Sequence, residues 1–138
     1  MPNLQPLLNA PLPVLIHLST VVPAFALGTW LLFPSTKGSR HHRLVGKVYL
    51  TLMTLTSVAA LCIRAFGSFA VEVGPLKFGV LHLFVPLTLH GVWATLRALR
   101  AGNIAAHRAS MRGVYVGGLL IAGLLAFTPG RILHRMFF

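Results

Sequence analysis

The chain has 138 residues, enough for one domain, and 56 % of them are hydrophobic, which is typical of an integral membrane protein. Charged residues make up 9 % of the chain, whereas a soluble domain carries about a quarter. The formal net charge of +11 comes from basic residues that stand between apolar segments. This placement predicts a bilayer with anionic headgroups as the partner and excludes nucleic acid. The single cysteine excludes an internal disulfide.

Four apolar segments predict four transmembrane helices, because a bilayer core of about 30 Å needs about 20 helical residues. They run from about 12 to 33, 44 to 66, 78 to 99 and 113 to 128. Ser39 and Asn103 are the predicted N-caps of the second and fourth helices. Short connections make neighbouring helices antiparallel. The predicted fold class is therefore all-α integral membrane, an up-down-up-down four-helix transmembrane bundle in a single domain, 1–138.

The distribution of basic residues predicts the orientation of this bundle. Eight Lys and Arg residues lie in or beside the connections after helices one and three, against four on the other side. The positive-inside rule then puts both termini outside and these two connections in the cytoplasm. The N-terminal stretch lacks a positively charged region, so no cleaved signal peptide is expected.

The two halves of the sequence resemble each other, which predicts an internal repeat of one helical hairpin. LIHLSTVVPAFALGTW (15–30) resembles VLHLFVPLTLHGVW (80–93), and HRLVGKVY (42–49) resembles HRASMRGVY (107–115). Three pairs of residues recur at a spacing of 65: His17 with His82, His42 with His107, and Arg43 with Arg108. We therefore predict repeat one at about 12–66 and repeat two at about 78–129.

Two hairpins that enter the membrane in the same direction are related by a pseudo-two-fold axis along the membrane normal. This operation exchanges helix one with three and helix two with four. His17 and His82 should then face each other near the outer face of the bundle. His42 and His107 should face each other near the inner face, at the starts of helices two and four.

Opposed imidazoles across a bundle core suit the axial positions of a haem iron. The predicted metal ligands are therefore His17, His82, His42 and His107. Cations are needed for the propionates, and small residues where the macrocycle meets a helix, which adds Arg43, Arg108, Gly28 and Gly118 as cofactor-binding residues. No catalytic residue is predicted. The cofactor expectation is one or two haem b groups, with quinone as a further candidate.

Plainer interpretations of the same residues stand beside this one. A transmembrane histidine can be a hydrogen-bonded packing residue, and the clusters at His42 and His107 can be interfacial anchors. His90 has no partner in the first repeat, so it is either a hydrogen-bonded core residue or a quinone contact. The glycines of helix four also suit close helix packing.

The segments KGSRHHRLVGKVY, HRASMRGVY and IAGLLAFTPGRIL, with the IHL and LHL segments, resemble an uncharacterised family of small bacterial four-span membrane proteins, a domain of unknown function. The resemblance covers nearly the whole chain. It implies four spans in a bacterial inner (cytoplasmic) membrane and brings no activity with it. The arrangement of histidines is also similar to that of transmembrane diheme cytochromes b, which implies one haem between His17 and His82 and one between His42 and His107.

The leading hypothesis is a haem b-binding transmembrane electron-transfer protein that exchanges electrons with quinol or a membrane partner. The alternative is a non-catalytic accessory or assembly subunit of a respiratory or photosynthetic membrane complex. A third hypothesis is a small transporter that acts as a homo-oligomer, since four helices leave little room for a pore. Whether the protein is an enzyme is left open.

Overall fold

A computed structural model describes residues 3–64 and 71–138 of the chain. Its helices and strands, in chain order, are α1 (Gln5–Leu8), α2 (Leu12–Leu32), α3 (Arg40–Leu61), β1 (Val71–Val73), β2 (Leu76–Phe78), α4 (Phe84–Arg100), α5 (Ile104–Tyr115), α6 (Ala122–Ala126) and α7 (Ile132–Phe137). A 3₁₀ helix, Val80–Leu83, precedes α4, and a π-helical segment, Val116–Ile121, joins α5 to α6. The described residues therefore form mainly long helices, with one small β-hairpin between α3 and α4.

Three of these helices are long and apolar enough to cross a membrane: α2, α3 and the continuous helix Ile104–Ala126. This confirms an all-α membrane protein. The fourth apolar segment was predicted at 113–128, but its helix already begins at Ile104 because Asn103 caps it. The boundary of repeat one near residue 66 lies outside the described residues.

Both predicted N-caps are confirmed. The Ser39 hydroxyl accepts a hydrogen bond from the His42 amide at 3.1 Å, and the Asn103 side chain accepts one from the Ala106 amide at 2.9 Å. Gly102, with φ +66°, ends α4 in the left-handed conformation. The Asn103 amide then reaches back to the Ala98 carbonyl at 2.9 Å. These local signals fix where α3 and α5 begin and therefore where His42 and His107 lie.

The third predicted segment, 78–99, differs from the structure at its start. Phe78 belongs to β2, whose pairing with β1 runs from Val71 opposite Phe78 to Val73 opposite Leu76. Lys77 and Glu72 form an ion pair across this hairpin. The regular helix begins only at Phe84, after the 3₁₀ turn. Residues at the start of the predicted helix thus belong to the β-hairpin and the 3₁₀ turn, because apolar composition alone does not distinguish these from a helix.

The long helices pack in a closed order. α2 lies against α3, α3 against α4, and α4 against α5 and the π-helical segment, while α5 also contacts α2. The buried core between them is built mainly from large apolar side chains: Leu31, Tyr49, Met53, Val92, Val114, Tyr115 and Leu119. Many large hydrophobic side chains point outward, as expected for a surface that meets lipid. The two terminal helices α1 and α7 meet, and the Asn3 amide donates to the Met136 carbonyl at 2.8 Å.

Candidate functional site

A cavity of about 570 Å³ lies where the connections α2–α3 and α4–α5 come together. This size falls in the usual range of small-molecule sites. Its walls carry apolar side chains, including Leu31, Leu99 and Met111, and its basic lining comprises Lys37, His42, Arg43, His107, Arg108 and Arg112. We call it the basic cavity. It brings together four of the eight residues predicted as cofactor site: His42, His107, Arg43 and Arg108.

The two histidines of the basic cavity, His42 and His107, are one of the pairs that recur at the spacing of 65 residues. His42 lies in the first turn of α3 and His107 in the first turn of α5, each placed by the cap before it. Both residues line the same cavity. The structure thus places both members of this histidine pair at one cavity.

A hydrogen bond from the connection before α3 orients the His42 ring. The buried Ser35 hydroxyl donates to the Leu31 carbonyl at 2.9 Å, so its oxygen accepts from His42 Nδ1, also at 2.9 Å. Lys37 donates to the same oxygen at 3.2 Å. We therefore assign the ring proton of His42 to Nδ1, which leaves Nε2 with a free lone pair. This is the tautomer of a histidine that ligates through Nε2.

His107 has a similar but less complete environment. Its Nδ1 atom is buried and has no hydrogen-bond partner among the described residues, although the Thr95 backbone on α4 faces the ring. A buried ring nitrogen without a partner is costly in a native protein and needs an explanation. A short shift of the ring toward Thr95 would satisfy Nδ1 and leave Nε2 available, as in His42.

The rim of the basic cavity carries positive charge that favours binding of an anionic group. Lys37, Arg43, Arg108 and Arg112 surround it, and the single acid of the whole chain, Glu72, lies in the β-hairpin. In that hairpin the Lys77 ammonium holds the pKa of the Glu72 carboxyl below its usual value. The rim cations therefore have no acidic side chain of this chain beside them in the cavity lining. Guanidinium groups suit carboxylate or phosphate groups.

His17 is held by α3. Its Nδ1 donates to the Thr56 carbonyl at 2.9 Å, with the Thr56 hydroxyl 3.0 Å away. Because the carbonyl can only accept, the proton is on Nδ1 and Nε2 has a lone pair. His17 therefore has a ligating nitrogen, but it does not line the basic cavity.

His82 has no such nitrogen. It lies in the 3₁₀ turn before α4, where Nδ1 accepts from the Gly79 amide at 3.1 Å. The proton is then on Nε2, which donates to the Ile63 carbonyl at 2.9 Å. Ile63 is seven residues beyond the Thr56 that holds His17, about 10 Å along a helix. A haem between His17 and His82 stays a prediction. Ligation through His82 Nδ1 would break its hydrogen bond with the Gly79 amide, and ligation through Nε2 would break both hydrogen bonds of the ring.

The two predicted glycines make room for side chains of this chain. A Cβ on Gly28 would lie 2.8 Å from ring atoms of both Tyr49 and Tyr115. A Cβ on Gly118 would lie 2.8 Å from the Thr88 hydroxyl and 3.0 Å from the end of Met53. Both glycines therefore allow close helix packing, as the alternative interpretation of the glycines in helix four proposed.

Ser35 and Lys37 are functional candidates that the sequence did not single out. Ser35 is 6 % exposed, and Lys37 bonds both it and the Leu32 carbonyl, at 3.2 and 3.1 Å. Their signal in the sequence is slight, a Ser and a Lys in a loop that precedes a His. Among the described residues, no three His, Cys, Asp or Glu side chains come together, so an all-protein metal centre is not formed there.

The fold and the composition define a multi-pass membrane protein with long apolar helices. Within that class, the chain belongs to the family DUF2306, described as "Predicted membrane protein", whose profile matches residues 14–132. No curated protein and no solved structure matches the chain.

Proposed function

We propose that this protein holds one haem b in the basic cavity, where His42 and His107 would hold the iron, and transfers electrons between membrane quinol and a membrane partner. The observation that carries the proposal is the meeting of these two histidines in one basic cavity of about 570 Å³. The haem, when bound, supplies a one-electron couple.

The residues of the cavity fit this group in three ways. His42 presents Nε2 because Ser35 fixes the proton on Nδ1, and such an outer partner also makes the ligating nitrogen more basic. The apolar walls, with Leu31 and Leu99, suit a flat hydrophobic ring. The rim cations, Arg43 and Arg108 among them, suit two carboxylate groups at the edge of that ring.

The chain's own residues have defined tasks in this account. Ser35 restrains the His42 ring through its hydrogen bond, which limits reorganisation of that ring when charge changes at the site. The rim cations favour the more negatively charged state of a bound group, which raises a reduction potential. The apolar walls exclude water from the space between the rings.

We infer a membrane arrangement from the same features. α4 rises about 25 Å over 17 residues, and the 3₁₀ turn before it adds about 8 Å, so together they can span the membrane as a fourth crossing. The closed packing order supports an up-down-up-down bundle of two hairpins with a pseudo-two-fold axis along the membrane normal. The basic connections then lie at the cytoplasmic side of a bacterial inner membrane, near anionic headgroups, and both termini lie outside.

An absorption spectrum of the purified protein tests the cofactor proposal. The protein is produced with haem supplementation, and oxidised and dithionite-reduced spectra are recorded together with the haem content per chain. We expect a Soret band and a sharp α-band from one haem per chain, lost in His42→Ala and in His107→Ala. His41→Ala is the matched control, because His41 is the exposed neighbour of His42 and does not line the cavity.

Two results would contradict the proposal. One is a folded wild-type protein without haem bands after supplementation. The other is a spectrum that survives both cavity variants, which would move the haem elsewhere; loss in His17→Ala alone would identify the His17–His82 pair as the site.

A further inference from the structure

His90 lies on the exposed surface of α4. It therefore differs from the paired histidines, which the repeat predicts to face the core of the bundle. It is ten residues before Arg100 at the end of α4, which is about 15 Å along the helix. If α4 is the fourth crossing inferred above, His90 lies near the middle of the bilayer. No hydrogen bond joins its ring to any other residue that the structure describes. An ionisable side chain at that depth is costly in lipid and marks a functional surface.

Two further side chains extend this surface toward the end of α4. The Trp93 ring centroid lies 5.7 Å from that of His90, with the rings at 39°. The Arg97 guanidinium carbon lies 5.2 Å from the Trp93 ring centroid. Trp93 is nevertheless 53 % exposed, so much of its ring faces the membrane. We call His90, Trp93 and Arg97 the α4 strip.

The first repeat supplies a natural comparison for the α4 strip. Trp30 corresponds to Trp93 at a spacing of 63, and the same spacing places Leu27 and Pro34 where repeat two has His90 and Arg97. A tryptophan at this position is thus common to both repeats and suits an interfacial belt. The histidine and arginine beside it belong to the second repeat alone, so the belt explanation does not account for them.

We propose that the α4 strip binds the ring of a membrane quinone or quinol. A quinone carbonyl accepts a hydrogen bond and a quinol hydroxyl donates one. The two nitrogens of an imidazole ring can donate to the first and accept from the second, so the His90 side chain suits both forms. The half-exposed indole of Trp93 offers a flat surface for stacking, and Arg97 holds that indole from the side of the headgroups. An isoprenoid tail continues in lipid beside the exposed Leu83 and Leu87.

A second copy of this chain fits the α4 strip less well. A two-fold contact through α4 would bring one Arg97 toward the other, and the single acidic side chain of each copy, Glu72, lies in the β-hairpin. Two like charges that face each other are unfavourable. A neutral ring with hydrogen-bonding oxygens meets no such penalty.

This inference rests on the proposed function for its physiological meaning, since the quinol is the electron donor there, but binding of the ring does not require haem. Photolabelling tests it directly. The purified full-length protein is placed in vesicles of phosphatidylcholine and phosphatidylglycerol, and an azido-substituted ubiquinone analogue is photolysed with and without excess decylubiquinone. Trypsin then separates the two repeats, because Lys77 and Arg97 bound a peptide 78–97 that holds His90 and Trp93, while Trp30 falls in the peptide that ends at Lys37.

We expect the photolabel in peptide 78–97, and we expect excess decylubiquinone to prevent this labelling. The peptide that contains Trp30 should be labelled only weakly, and decylubiquinone should not change that labelling. In His90→Ala, about tenfold more decylubiquinone should be needed to remove the label, which corresponds to the loss of one hydrogen bond. His90→Gln keeps a donor and an acceptor, so its affinity for decylubiquinone should stay close to that of the wild type. Because His90 is exposed, both variants should fold, and circular dichroism checks this.

Equal labelling of the two peptides, or competed label that His90→Ala leaves unchanged, overturns the inference. So does a change of oligomeric mass in His90→Ala without a change in labelling, because the α4 strip would then be a contact between copies. Competed label in a protein that binds no haem would support this inference and refute the haem proposal. Haem bands in a protein whose labelling decylubiquinone does not reduce would support the haem proposal and refute this inference.

Discussion

Replacing Gly28 with alanine should destabilise the protein, because the position has no room for a methyl group. The added Cβ would lie 2.8 Å from Tyr49 Cε2 and 2.8 Å from Tyr115 Cδ2. Tyr49 is 0 % and Tyr115 5 % exposed, and both are part of the core. Neither ring is the flexible end of a side chain, so helix α2 itself must move away from α3 and α5.

The expected magnitude follows from comparison with an unobstructed glycine. Overpacking of a core costs about 1–3 kcal/mol, while alanine gains up to about 1 kcal/mol over glycine in a helix interior. Gly46 in α3 has nothing within 4 Å of an added Cβ, so Gly46→Ala obtains the gain without the clash. The difference in unfolding free energy between the two variants should therefore be about 1–3 kcal/mol, with Gly28→Ala the less stable.

Equilibrium unfolding with sodium dodecyl sulfate in mixed micelles, followed by far-ultraviolet circular dichroism, measures this difference. Gly113→Ala serves as a second control, since its Cβ also meets nothing within 4 Å. If Gly28→Ala is as stable as these two variants, the close contact of α2 with the two tyrosines is refuted.

Two further predictions concern single contacts. Ser35→Ala removes the acceptor of His42 Nδ1 and should weaken haem binding about 10–100-fold; titration of the apo-protein with haemin measures it, and unchanged affinity contradicts the assigned tautomer. Lys77 holds the pKa of the Glu72 carboxyl below its usual value, so the ion pair is present above that usual value and is lost as the pH falls through the lowered pKa. A carboxyl chemical-shift titration should show the Glu72 pKa rising in Lys77→Met, and an unchanged pKa would contradict the pairing.

The caps that begin α3 and α5 could be predicted from the sequence because their causes are local. Ser39 and Asn103 stand directly before the helices they cap, and the apolar length of α2 and α3 is a property of composition. The β-hairpin was missed because its pairing opposes Val71 to Phe78, and Phe78 also opens an apolar run. An apolar run shows that a segment is buried or in lipid, but not whether its first residues are helical.

The difference between the two histidine pairs could not be predicted from the sequence. His17 and His82 stand in closely similar apolar segments, and the repeat gives both pairs one spacing. What separates them is the fold of the connections. The 3₁₀ turn and the end of α3 occupy both nitrogens of His82, whereas Ser35 occupies only one nitrogen of His42. The structure therefore favours His42 and His107 as the haem-binding pair, although the sequence alone had placed them at the membrane edge.

The electron paramagnetic resonance spectrum of the ferric protein tests the central claim most directly, because it reports the axial ligands of the iron. The account predicts a low-spin, bis-imidazole signal in the wild type and in His41→Ala, and a high-spin signal or loss of haem in His42→Ala and His107→Ala. A low-spin signal that persists unchanged in both cavity variants, or a folded wild-type protein with no ferric haem signal, would contradict it.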